Sequence, residues 1–171
     1  MTALSLPQFL HTLPPLVRPY LPLGLQGIQV NQPFRWIIQF HFGEPRLHYE
    51  VSRIAGQADL ELGLHFEAKD INLNQYLLRG FDHHLLEIQD VLGGQITAEP
   101  WDNGWTKVYE RYPTAELTAA TQAAVGQRLA QFITCLHPFF VELRGEVARV
   151  YRSLRGGWGA GGHKFLCFFS F

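Results

Sequence analysis

Apolar and polar residues alternate along three consecutive segments between Phe34 and Lys69, which is the pattern of half-buried β-strands. In the first segment, the predicted apolar face consists of Phe34, Trp36, Ile38, Phe40 and Phe42. In the third and most regular segment, it consists of Leu60, Leu62, Leu64, Phe66 and Ala68. Short turns at residues 43–46 and 55–58 join the segments, so the pattern predicts a three-stranded antiparallel meander.

Helical periodicity dominates the rest of the chain. A short helix is expected near residues 7–13, and an apolar stripe with a period of 3.6 residues runs from Leu73 to Leu92, where Gly93 and Gly94 end it. Residues 96–101 and 105–112 then flank the turn sequence Asp-Asn-Gly and predict a hairpin. A long helix follows, which Thr114 can cap and which Pro138 should kink or restart.

This order of elements is helix, three-strand meander, helix, hairpin and long helix. It predicts an α+β fold with an antiparallel sheet of about five strands and helices packed on one face. Residues 1–155 are expected to form a single domain, and residues 156–171 a Gly-rich linker with an apolar C-terminal tail. The element order resembles that of type III secretion chaperones, which are small dimeric proteins that hold partner polypeptides. The resemblance lies in topology alone and implies a homodimer that binds another polypeptide.

Composition and charge restrict the classes of partner. The chain has 171 residues, with 14 Lys and Arg against 15 Asp and Glu, so no strong positive field favours nucleic acid. No apolar run approaches the length of a membrane span, and no membrane partner is expected. Cys135 and Cys167 are far apart and belong to no metal-ligand pattern. The expected compartment is the cytoplasm.

Three histidines on neighbouring strands form the most specific candidate site. If residues 55 and 58 are paired across the second turn, His48 lies opposite His65, and pairing of Phe42 with Leu47 in the first hairpin places His41 opposite His48. A slip of two residues in the first hairpin is the alternative, because Glu44-Pro45 is a poor primed turn. Three imidazoles in a row could hold a divalent metal ion, with Glu50 and Glu67 one step away. No other cofactor is expected.

Asp59 together with Glu67 and Lys69 resembles the Asp and Glu-x-Lys elements of a large metal-dependent nuclease family. In those nucleases the two elements lie on adjacent strands. Here they share one strand and lie about 26 Å apart, which argues against the likeness unless Glu50 replaces the aspartate.

Aromatic residues around the second hairpin indicate a binding surface, because exposed aromatic patches mark interfaces more often than active sites. The predicted partner-binding residues are Trp101, Trp105 and Tyr109. No nucleophile elbow, phosphate-binding loop or dinucleotide fingerprint is present. The first expectation is therefore a non-catalytic, chaperone-like protein-binding or adaptor domain, whose partner is another polypeptide or a second copy of the chain in a homodimer. The alternative is a divalent-metal-binding protein or metal-dependent enzyme that uses the cross-strand histidines.

Overall fold

A six-stranded antiparallel sheet forms the centre of the protein, and the computed structural model describes residues 3–156. The strands are β1 (Gln29–Phe34), β2 (Ile37–His41), β3 (Leu47–Arg53), β4 (Leu60–Phe66), β5 (Thr97–Pro100) and β6 (Thr106–Tyr112). Their spatial order is β1-β2-β3-β4-β6-β5, and every neighbouring pair is antiparallel. The predicted α+β class is confirmed, with six strands where about five were expected.

The helices precede, interrupt and follow the strands. They are α1 (Leu6–His11), α2 (Pro14–Val17), α3 (Ile71–His83), α4 (Leu85–Leu92) and α5 (Ala119–Gly156), with short 3-10 turns at Arg18–Tyr20, Leu23–Leu25 and Asp102–Gly104. The last helix has 38 residues and is the longest element. Among the helices of residues 3–156, none is both long enough and apolar enough to cross a membrane.

One face of the sheet packs against the helices and forms the hydrophobic core. The buried strand residues on this face include Ile38, Phe40, Tyr49, Val51, Leu62, Leu64 and Val108. They belong to the same buried cluster as side chains of α3 and α5, which include Leu77, Phe81, Leu129, Phe132, Ile133 and Leu136. Because side chains alternate along a strand, the residues between them point to the opposite face.

The edge strand β1 was not predicted. Its residues are mostly exposed, and the alternation that identifies a half-buried strand is absent from it. The prediction for the next strand was wrong at its start, because Phe34 ends β1 and Trp36 lies in the turn before β2. Both side chains are half-exposed instead of buried on the apolar face.

The helix boundaries also differ from the predicted ones. The apolar stripe after Asp70 forms two helices, α3 and α4, which meet at His84. At the start of α3, the Asp70 carboxylate accepts a hydrogen bond from the Asn72 amide. The long helix begins at residue 119, where the Thr118 hydroxyl accepts from the Thr121 amide, so Thr118 takes the capping role predicted for Thr114. It continues through Pro138. The predicted apolar tail lies outside the described residues.

Candidate metal centre on the polar face of the sheet

The face of the sheet opposite the core carries a dense set of charged and polar side chains. This surface, called the polar face below, comprises Gln39, His41, His48, Glu50, Glu61, Gly63, His65, Glu67, Glu99, Lys107, Tyr109 and Arg111. Several of these groups are buried: His48 and His65 are each 1% exposed and Glu50 is 4% exposed. A polar surface that is buried to this extent calls for an explanation of how its groups are satisfied.

The strand registers that bring the histidines together are those expected from the sequence. His48 pairs with His65 across β3 and β4, and their rings stack with centroids 5.6 Å apart. In the neighbouring pair, Phe40 lies opposite Tyr49, so the same register continued by one residue places His41 opposite His48.

His48 is held by contacts at both ring nitrogens. Its Nδ1 lies 2.9 Å from the Pro45 carbonyl oxygen, to which it donates. Its Nε2 lies 2.9 Å from the side-chain nitrogen of Gln39 and 3.3 Å from a carboxylate oxygen of Glu50. A cation bound to this ring would take the place of one of these contacts.

His65 is surrounded by carboxylates but lacks a well-formed hydrogen bond. Its Nε2 lies 3.2 Å from Glu61 and its Nδ1 lies 3.7 Å from Glu67, yet neither nitrogen has a partner with hydrogen-bond geometry. Burial disfavours the charged ring, but the carboxylates of Glu61 and Glu67 outweigh it and raise the pKa of His65 to about 9. The ring is therefore protonated near neutral pH unless a cation displaces that proton.

Glu50 and Glu61 are ionised at neutral pH. Burial raises the pKa of Glu50, but the hydrogen bond to His48 and the charge of His65 overcome this effect and lower it to about 2. For Glu61, contacts with His65 and Lys107 likewise overcome burial and lower the pKa. The Lys107 ammonium lies 2.8 Å from Glu61, so it neutralises one of these carboxylates directly.

Gly63 makes space for the His65 ring. A Cβ at residue 63 would lie 2.7 Å from His65 Nε2 and 3.2 Å from the Tyr109 Cβ. Gly63 was not predicted as a site residue, although a glycine inside a regular strand pattern is itself a sign of close approach by another group.

Two of the three predicted partner-binding aromatic residues, Trp101 and Tyr109, contact charged groups of the polar face. Trp101 is 42% exposed and packs edge-on against His65, with ring centroids 5.3 Å apart. The Lys107 ammonium lies 3.9 Å from the centre of the Tyr109 ring and 5.5 Å from that of Trp101. Trp105 packs against Trp101 at 5.6 Å. The aromatic residues and the histidines, predicted for different roles, thus lie in one place.

Three side chains are grouped closely enough to be candidate ligands of one metal ion. His48, His65 and Glu67 each offer one ligand atom, and these atoms lie within 4.8 Å of one another; within residues 3–156 no other group of three is found. This cluster is called the cation site below. It contains two of the three histidines predicted as metal ligands. The third, His41, lies beside it, is 8% exposed, and has an Nδ1 that is buried without a partner.

The nuclease-like arrangement does not form around Glu67. Lys69 is exposed, and Asp59 lies before β4 at the opposite end of the strand from Glu67. Glu50 lies opposite Gly63 on the neighbouring strand, where its carboxylate contacts His48.

The chain matches no known family, no curated protein and no solved structure. Its function is therefore inferred from the site alone.

Proposed function

We propose that this protein binds a divalent transition-metal ion at the cation site. The proposal is carried by the buried side-chain atoms that lack a hydrogen-bond partner. Within the described residues there are four of them, and three are ring nitrogens of His41 and His65. An unpaired buried polar atom costs about 1–3 kcal/mol. A cation that displaces the His65 proton would give one of these nitrogens a partner, because a metal ion binds the nitrogen lone pair that loss of the proton exposes.

The charge of the polar face supports the same proposal. Four carboxylates lie together on it, those of Glu50, Glu61, Glu67 and Glu99, and they face three cationic groups, Lys107, Arg111 and protonated His65. The face thus carries an excess of one negative charge near neutral pH, and of two once a bound ion displaces the His65 proton. Buried charges are normally paired or coordinate metals, and a divalent cation would balance this excess.

The donor atoms favour particular ions. Two imidazole nitrogens and one carboxylate oxygen suit Zn²⁺, Co²⁺, Ni²⁺ or Fe²⁺ better than Mg²⁺ or Ca²⁺, which prefer oxygen ligands. Tetrahedral Zn²⁺ requires ligand atoms about 3.4 Å from one another. The atoms of the cation site, which lie within 4.8 Å of one another, would have to move closer by up to about 1.4 Å, and we expect rotation of the side chains to supply this movement.

Calorimetric titration of untagged, chelator-treated protein with Zn²⁺ tests the proposal. The wild type is expected to bind one equivalent, and His65→Ala and Glu67→Gln to bind at least about tenfold more weakly, which corresponds to 1.4 kcal/mol or more. His83→Ala is the matched control, because His83 is an exposed histidine on α3 and lies outside the polar face. Zn²⁺ binding that is absent from the wild type, or unaffected by Glu67→Gln and His65→Ala, would contradict the proposal.

A second candidate function, binding of another polypeptide, has its own observation. Phe34 and Trp36 at the β1–β2 turn stack almost parallel at 5.2 Å while remaining 54% and 52% exposed. Two stacked aromatic rings that are exposed to solvent are typical of a protein–protein interface. The tip of the β1–β2 hairpin is a better candidate for the predicted protein-binding surface than Trp101 and Tyr109, whose rings contact His65 and Lys107.

Such a partner would contact side chains instead of extending the sheet. The edge strand β1 contains Pro33 and a register shift between residues 31 and 34, and the other edge strand ends at Pro100. Prolines and bulges are the usual means by which sheet edges avoid pairing.

If the tip is the homodimer interface, replacing Phe34 and Trp36 by Ser should convert a dimer into a monomer in light scattering, while exposed Leu86→Ser on α4 should not. A wild-type monomer would rule out the homodimer, and an unchanged dimer would exclude the tip as its interface.

A further inference from the structure

His41 is a buried histidine beside the cation site. Its ring is 8% exposed, its Nδ1 is buried, and no atom of the described residues is hydrogen-bonded to that nitrogen. It lies on the polar face, away from the hydrophobic core. A buried polar atom without a hydrogen-bond partner is uncommon in folded proteins, and an ion that binds the nitrogen would account for it.

His41 and His65 lie on opposite sides of His48, on the two strands that flank β3. The β2–β3 register, continued by one residue beyond Phe40 and Tyr49, puts His41 opposite His48, while His65 lies opposite His48 on the other side, across β3 and β4. Neighbouring strands are ~4.8 Å apart, so a ring on β2 can lean over β3 toward an ion held by His48 and His65. His41 is not part of the three-residue group, and its ring must rotate to join it.

We propose that His41 rotates to become the fourth protein ligand of the ion, completing a closed site with His48, His65 and Glu67. The inference rests on the proposed function, because it concerns the same ion. The ligand set is then three imidazole nitrogens and one carboxylate oxygen, which satisfies the four-coordinate preference of Zn²⁺ and Co²⁺.

A closed site has a specific consequence for function. Structural zinc sites have four protein ligands, whereas catalytic ones keep a position for water or substrate. With His41 bound, the ligands come from β2, β3 and the end of β4, so the ion links three neighbouring strands. The ion then stabilises this part of the sheet and performs no hydrolysis.

Absorption spectroscopy of the Co²⁺-loaded protein distinguishes a closed from an open site. Four-coordinate Co²⁺ gives strong visible bands, and a closed site does not respond to an added small anion such as azide. The wild type is expected to show strong bands that azide leaves unchanged. His41→Ala is expected to bind Co²⁺ at least tenfold more weakly, with a spectrum that azide alters. His41→Gln provides a second variant of similar size, and His83→Ala is the control.

The outcomes separate this inference from the proposed function. If the wild type takes up no Co²⁺, the proposed function and the inference both fail. If the wild type binds Co²⁺ and both His41 variants match it in affinity and spectrum, only the fourth ligand is disproved. A wild-type spectrum that changes with azide also overturns the closed site.

Discussion

The imidazole of His65 lies over Gly63, so close that a Cβ on residue 63 would approach its Nε2 to 2.7 Å. Gly63 is in the middle of β4, where glycine stabilises a strand less than alanine does. A glycine at this position is therefore explained by the ring above it. The position of His65 between Glu61 and Glu67 depends on this space.

Substitution of Gly63 tests that relationship. Gly63→Ala should destabilise the protein by about 1–3 kcal/mol, as overpacking commonly does, because the ring and the Tyr109 Cβ are both too close. It should also weaken Zn²⁺ binding. Urea unfolding and calorimetry measure the two effects. Gly27→Ala is the control, since a Cβ there meets no atom within 4 Å. A Gly63→Ala variant as stable as the Gly27→Ala control would show that His65 can move away at no cost.

The stability of the metal-free protein should depend on the protonation of His65. Its pKa is about 9 in the fold, above the ordinary value of 6.5, so protonation stabilises the folded state. This contribution is fully present below pH 6.5 and is lost as the pH rises through 9. The loss amounts to about 3 kcal/mol, since one pKa unit corresponds to ~1.4 kcal/mol.

Urea unfolding at pH 6 and pH 9.5 measures this dependence. Wild-type protein should lose about 3 kcal/mol more than His65→Gln between the two pH values, because the variant has no ring to titrate. Other groups titrate in both proteins and cancel in the comparison. An equal loss in the two proteins would show that the carboxylates around His65 do not hold its proton.

A buried ion pair on the core side of the sheet gives a prediction independent of metal. Glu110 on β6 is 1% exposed, and Arg128 on α5 donates to it at 2.7 Å and also to the Leu92 carbonyl. Arg128→Met leaves a buried carboxylate without a partner, which should cost about 3–5 kcal/mol in urea unfolding. Arg144→Met is the matched control. Its partner Glu44 has a side chain that is 49% exposed, so the cost should stay below about 1 kcal/mol. Equal costs for the two variants would contradict the assignment.

Trp101 should control how fast an ion leaves the cation site. Its ring covers His65 from the solvent side, being 42% exposed itself while His65 is 1% exposed. Trp101→Ala should therefore speed the release of Zn²⁺ to a strong chelator at least about tenfold in stopped-flow experiments. The exposed Leu86→Ala on α4 should leave the rate unchanged. Release that is equally slow without the indole would indicate another route to the site.

The strand registers were predicted from two constraints: alternation excludes a shift by one residue, and the turn sequences select among shifts by two, which for the first hairpin left two registers open. A shift of one residue in the β3–β4 pair, with β3 unchanged, would turn His65 toward the core and expose Leu62 and Leu64, so the matching of apolar faces excludes it. The same argument placed His41 opposite His48. It could not identify β1, because an edge strand exposed on both faces has no alternation to detect.

The composition of the site was only partly predictable. Glu61 and Lys107 join the cluster through pairing of β4 with β6, which are separated in the chain by two helices and a strand. No short-range pattern reports such a contact. Burial of the histidines was also unexpected, since alternation indicates which face a side chain takes but not how closely its neighbours cover it. The break between α3 and α4 at His84 was also not predicted, because the apolar stripe of the sequence continues across it.

Elemental analysis of the untagged protein, purified without chelator, tests the central claim most directly. The account predicts close to one equivalent of zinc, iron, cobalt or nickel per chain in the wild type, and markedly less in His65→Ala. Wild-type protein that carries no metal, and acquires none after incubation with Zn²⁺, Co²⁺, Ni²⁺ or Fe²⁺, would contradict it.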